Sequence, residues 1–167
     1  FKGTVDDNKV FDIYKQTIKI LPGYYFIIKV HPRDDLRFYQ KFFEDSSSSN
    51  ICVIKDVSII GVLNISDVQI SVNSYSSVEA IILNVPVILV NREIVSLPNH
   101  FSEHVILEAK NSVELAEQIT KALSVNYRAL FEINRSLYLK EVFGATDIAQ
   151  IEHQVRINIE ELIYKIV

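Results

Sequence analysis

The stretch Val68–Val90, VQISVNSYSSVEAIILNVPVILV, decides the reading of this chain. A β-rich run (Val68–Val72) ends in a polar knot of Asn73, Ser74, Tyr75, Ser76 and Ser77. A helical pattern follows from Val78 to Leu83. Asn84-Val85-Pro86 breaks it before a second strand, Val87–Val90. A strand, a hydroxyl-rich turn and a helix start together make an anion site. Free backbone N–H groups and the positive end of the helix dipole face whatever lies beyond the strand's carboxyl end. Ser74, Ser76 and Ser77 are the candidate hydroxyls, able to cap the helix or to donate to phosphate oxygens. Glu79 follows, where a carboxylate could accept hydrogen bonds from a ribose. Serines before a helix are also the commonest N-cap chemistry, and alone they say no more than that.

A second turn of the same kind strengthens the reading. In Tyr24–Asp35, YYFIIKVHPRDD, the run Tyr25–Val30 is nearly continuously apolar, as a buried parallel strand is. It stops at His31-Pro32, because proline cannot donate to a ladder and restricts the residue before it. His31 and Arg33 therefore lie at a strand's carboxyl end, where open α/β sheets bind ligands. Arg33 can donate through its planar fork and His31 through a ring N–H. Asp34 and Asp35 suit the first turn of the next helix. With no third ligand placed beside them, or beside Asp6-Asp7, no metal is expected. No other cofactor is implied.

Outward from these turns the pattern alternates. Helical spacing over Asn8–Leu21 closes at Pro22-Gly23. Strand Tyr25–Val30, helix Leu36–Glu44, strand Ile51–Lys55, a short helix over Ser58–Ile65 and the decisive stretch follow. A short strand is expected at His104–Leu107, then an amphipathic helix over Ser112–Leu123 capped by Asn111 or Ser112. The turn after Ile51–Lys55 carries Asp56, and Arg92 follows the strand Val87–Val90; both are candidates for the same crevice. Such alternation predicts right-handed crossovers and one parallel sheet covered by helices on both faces, a Rossmann-like α/β domain over residues 1–125. From residue 126 to 167 only helical spacing remains, broken at Phe143-Gly144-Ala145. Gly144 is expected to end one helix in a left-handed conformation, and Asp147 to cap the last. These terminal helices are expected to pack on the domain or on a partner.

Composition bounds the function. The 167 residues are 49% hydrophobic and 23% charged, ordinary for one globular core. A net charge of −4 gives no electrostatic footprint for nucleic acid. No apolar run approaches a bilayer span, and no signal peptide is visible. The single cysteine, Cys52, reads as a buried thiol in a reducing compartment. The expected location is the cytoplasm, with the inner face of the membrane reached only through other parts or partners. The chain opens FKGTVDDN and contains no methionine, and reads as a piece of something longer.

FIIKVHPRDD, followed by ISDVQISVNSYSSVEAIILNVPVILV, resembles the carboxyl-terminal, donor-binding half of GT-B glycosyltransferases. It is most similar to capsule and surface-polysaccharide enzymes with an HP motif and a serine motif, of the polysialyltransferase-like and Kdo-transferase-like kind. CDP-glycerol glycerophosphotransferases are similar at the same places. The resemblance covers Tyr24 to Val90, and more loosely FGATDIAQIEHQV. It implies that His31, Ser76 and Ser77 hold the phosphates of a CMP- or UDP-linked sugar donor. It also implies an amino-terminal domain, outside these residues, that binds the acceptor and supplies the catalytic base. Alone, this half is expected to bind donor without transferring it, and to self-associate weakly. Relatives often carry Thr-Asp where this chain has Asn73-Ser74, which leans towards the capsule enzymes. Two alternatives remain open: a UDP-N-acetylglucosamine 2-epimerase-like enzyme, though Tyr75 and Val78 stand where glycines are usual, and a non-catalytic nucleotide-binding or interaction module.

Overall fold

The computed structural model describes residues 7–44, 50–72, 74–90, 105–147 and 149–151. Among them the elements are α1 (Asp7–Ile20), β1 (Phe26–Lys29), α2 (Leu36–Glu44), β2 (Ile51–Ile54), α3 (Ile59–Leu63) and β3 (Gln69–Ser71), then α4 (Ser76–Ile82), β4 (Val87–Val90), β5 (Ile106–Ala109), α5 (Ser112–Ala122) and α6 (Val125–Phe143). The protein is mixed α/β, and every strand pairing is parallel. Residues Val87 to Val90 are 0% exposed, so β4 is covered on both faces and anchors the core.

The single expected sheet is instead two among the described residues: β1 with β2, and β3-β4-β5. Phe26 pairs with Ile51 in the first, and Gln69 with Val87 in the second. The fifth strand lies two residues later than expected. Val105-Ile106-Leu107 is the most apolar part, but the register Val87↔Ile106 to Val90↔Ala109 draws Glu108 and Ala109 into the ladder. Glu108 is exposed, which an edge strand tolerates. Cys52, expected to be buried, is only partly so on β2.

Helix α1 lies between α2 and α5. The Phe11 ring meets Phe38, Tyr39, Phe42 and Phe43 of α2, with centroids 5.2–6.5 Å apart. On its other flank the Thr17 hydroxyl donates to the Ser112 carbonyl at 3.2 Å, and the Ser112 hydroxyl to Gln16 at 3.0 Å. Helix α4 packs against β3 and β4, beside α3 and α6. Asn111 caps α5 by accepting from the N–H groups of Val113 and Glu114.

Helix α6 shares this same core. Phe131, Tyr138 and Leu139 join the cluster formed by β4, β5 and α5. From α6, Arg135 donates to the carbonyls of Ile81 and Ile82, and Arg128 to those of Asp67 and Asn84. The α4 end so gripped is also closed locally: Val85 N–H bonds the Ala80 carbonyl at 2.8 Å and Asn84 N–H that of Ile81 at 3.1 Å. Asn84 takes φ 62°, the left-handed conformation this motif needs and asparagine tolerates. Gly144 ends α6 at φ 71°, and Asp147 accepts from the Gln150 N–H at 2.8 Å, both as expected. No helix among the described residues is long and apolar enough to cross a membrane.

Candidate functional site

The first cluster forms where β1 ends. Val30 is fully buried and still bonded to the Ile54 carbonyl; His31, Pro32 and Arg33 then emerge exposed. Asp34 N–H closes the turn on the His31 carbonyl at 3.0 Å. The Arg33 N–H donates to His31 Nδ1 at 3.2 Å, so the neutral imidazole carries its proton on Nε2. That N–H is the group left to face a ligand. Lys55, just past β2, donates from Nζ to the Asp34 carbonyl at 2.9 Å, bringing a second cation to the turn. Asp34 accepts from the Tyr39 hydroxyl at 2.8 Å, and Asp35 from the Arg37 N–H at 3.0 Å. The Arg33 guanidinium has no partner among the described residues.

The second cluster forms where β3 ends. Ser74 and Ser76 are half-buried with their hydroxyls 2.7 Å apart, and Tyr75 is 88% exposed between them. Helix α4 opens at Ser76, two residues earlier than expected, and Tyr75 at its head makes no side-chain cap. The expected free N–H groups are engaged inside the turn. Ser76 N–H bonds the Ser74 hydroxyl at 3.2 Å, Ser77 N–H the Ser74 carbonyl at 3.0 Å, and Val78 N–H the Tyr75 carbonyl at 3.0 Å. The turn satisfies its own donors because residue 75 is already helical, which aims the Ser77 and Val78 N–H groups back three residues.

The three serines play different parts. Ser77 is 1% exposed, its hydroxyl 3.3 Å from Gln69 Oε1 and 3.0 Å from the Ser71 hydroxyl. It ties α4 to β3 from within. Gln69 also donates to the Ser76 hydroxyl at 3.1 Å, orienting it. Ser77→Ala would strand Gln69 and Ser71 and is expected to cost about 1–2 kcal/mol of stability in urea denaturation. A loss below about 0.3 kcal/mol would mean that the hydroxyl is not held as described.

The remaining candidates fall around these clusters. Glu79 lies half-buried in the first turn of α4, without a side-chain partner among the described residues. Asp56 is exposed in the turn after β2, where Val57 N–H bonds the Lys55 carbonyl at 2.7 Å. Arg92, with Asn73 and Asn91, lies outside the described residues. His31, Arg33, Asp34 and Lys55 are thus brought together, as are Ser74, Ser76, Ser77, Gln69 and Ser71. No hydrogen bond among the described residues joins the two sets. Sequence reasoning missed Gln69 and Ser71, although polar residues two apart in an apolar strand mark one face. It also passed over Lys55 as a cation. Compared with protein families and with curated proteins, the chain matches none.

Proposed function

We propose that the chain binds the phosphate end of a nucleotide-sugar, as the donor-binding half of a GT-B glycosyltransferase for surface or capsular polysaccharide. The observation that carries this is the His31 turn. Arg33, whose guanidinium has no partner among the described residues, the exposed His31 and Lys55, which donates to the Asp34 carbonyl, belong to one turn at the carboxyl ends of two parallel strands. That is where α/β sheets bind ligands, and this donor set fits a phosphate oxygen better than any neutral group. The hydroxyls of Ser74 and Ser76 are the second contact, the exposed Tyr75 ring offers a flat face to a base, and Glu79 suits a ribose hydroxyl.

In this reading the residues stabilise a leaving group. As the bond from sugar to phosphate breaks, negative charge grows on the phosphate oxygens. Arg33, His31 and Lys55 supply the positive and donor groups that meet it. The base that activates the acceptor is assigned to another domain, so the chain alone binds without transferring.

Calorimetric titration with CMP, CDP, UMP and UDP tests this. Binding is expected for at least one of the four, weakened about tenfold or more by Arg33→Ala, since a hydrogen bond between charged groups is worth about 1.5–3 kcal/mol. Absence of binding by all four at millimolar concentration would overturn it.

A further inference from the structure

Oppositely charged side chains crowd the turn after β1, yet among the described residues none of them pairs with another. Arg33, Asp34 and Asp35 are consecutive, and Lys55 reaches the same turn from the end of β2. Opposite charges this close ordinarily attract each other, even where water screens them.

Each carboxylate is held by a neutral donor instead. Asp35 accepts from the Arg37 N–H at 3.0 Å, as a residue at a helix start does. Asp34 Oδ2 accepts from the Tyr39 hydroxyl at 2.8 Å. That hydroxyl is itself fixed, because its ring is wedged between aromatic neighbours. Phe11 meets it edge-on with centroids 5.3 Å apart, and Phe38 does so at 5.7 Å. Packing between α1 and α2 therefore sets the place of the Asp34 carboxylate.

The backbone of Asp34 has the opposite effect. Its N–H closes the turn on the His31 carbonyl at 3.0 Å, and its carbonyl receives the Lys55 ammonium at 2.9 Å. A carbonyl takes up one ammonium proton, leaves the others to donate, and cancels none of the charge. Asp34 thus draws Lys55 to the turn through its main chain, while its own negative charge is tied elsewhere.

We propose that Tyr39 is a positioning residue of this turn: by holding the Asp34 carboxylate it leaves Arg33 and Lys55 without a counter-charge, open to the nucleotide phosphate of the reading above, on which the identity of the ligand rests. Tyr39 touches no ligand and acts through Asp34. Released from Tyr39, the carboxylate rotates about its Cα–Cβ bond towards the ammonium that its own carbonyl already holds. There it competes with phosphate as a tethered anion, at an effective concentration on the order of millimolar or higher.

Titration calorimetry of the 167-residue chain tests this with the nucleotides CMP, CDP, UMP and UDP and with inorganic pyrophosphate, which carries neither base nor sugar. The parent is compared with Tyr39→Phe, Asp34→Asn and the double variant. Tyr39→Phe keeps the ring in its cluster and is expected to weaken binding about threefold to tenfold, as a charge partner released at a half-buried site would. Asp34→Asn is expected to bind at least as tightly as the parent, since the competing charge is gone and the carbonyl that holds Lys55 remains. The double variant should bind like Asp34→Asn, because no carboxylate is left to hold back. A merely structural hydroxyl would leave it as weak as Tyr39→Phe, and that result overturns the proposal. So do weaker binding by Asp34→Asn alone and an unchanged affinity in Tyr39→Phe, both of which leave the nucleotide reading standing. Pyrophosphate binding that follows the expected order while no nucleotide binds would support the role of Tyr39 and overturn the nucleotide reading. A parent chain that binds none of the five overturns both.

Discussion

Replacing Phe131 with alanine is expected to lower the free energy of unfolding by about 3–5 kcal/mol, the usual cost of emptying a large aromatic site in a packed core. Phe131 is 1% exposed and stacks on Tyr127 with ring centroids 6.2 Å apart, within the cluster that contains β4 and α5. The neighbouring Leu130 is 53% exposed, and Leu130→Ala should change stability by no more than about 0.5 kcal/mol. Urea denaturation of the two variants measures both. The contrast tests whether α6 completes the core of the domain. A cost below about 1 kcal/mol for Phe131→Ala would detach α6 from the core. It would also remove the support for Arg135, which holds the carbonyl end of α4 and so helps to set the serine turn.

Alkaline pH should loosen the fold through buried tyrosines. Burial pushes the Tyr127 phenol up to about 12, and its hydroxyl has no hydrogen-bond partner among the described residues. Burial also raises Tyr14, with Tyr39 adding to it, and Tyr138, with Glu141 adding to it. A phenol whose folded-state pKa lies above its unfolded value of about 10 contributes in full below pH 10, and that contribution fades as pH rises towards 12. Unfolding free energy is therefore expected to fall between pH 10 and 12, with Tyr127 accounting for about 2 kcal/mol. Tyr127→Phe removes the titrating group and an unsatisfied hydroxyl together. It should leave neutral-pH stability unchanged or slightly higher and make the alkaline decline shallower. Denaturation curves at pH 8, 10 and 11 decide this, and an equally steep decline in the variant would contradict it.

What the sequence revealed follows from where local chemistry acts alone. Helix α2 and strand β4 lie where their apolar spacing places them, and Gly144 and Asn84 stop their helices through a conformation that few residues adopt. Strand β5 slid by two residues because pairing with β4, not the apolar maximum, fixed its register. The division into two sheets was invisible, since a strand pattern does not say which edges meet. At the site, His31 and Arg33 stand exposed at the end of β1, as Pro32 signalled. The serine turn differs more. Reading Ser76 and Ser77 as equals overlooked the side-chain period: Ser77 turns inward to Gln69 and Ser71, and Ser76 stays half-exposed.

In the proposed donor site one nucleotide phosphate is met by both turns, the one after β1 and the one after β3. Mapping backbone amide shifts on titration with CDP or UDP tests it most directly. Saturable changes are expected, concentrated at residues 31–35, 55–57 and 74–79, with those in the first group lost on Arg33→Ala. Shifts confined to one turn, shifts centred elsewhere such as on α6, or no shifts at millimolar nucleotide would contradict it.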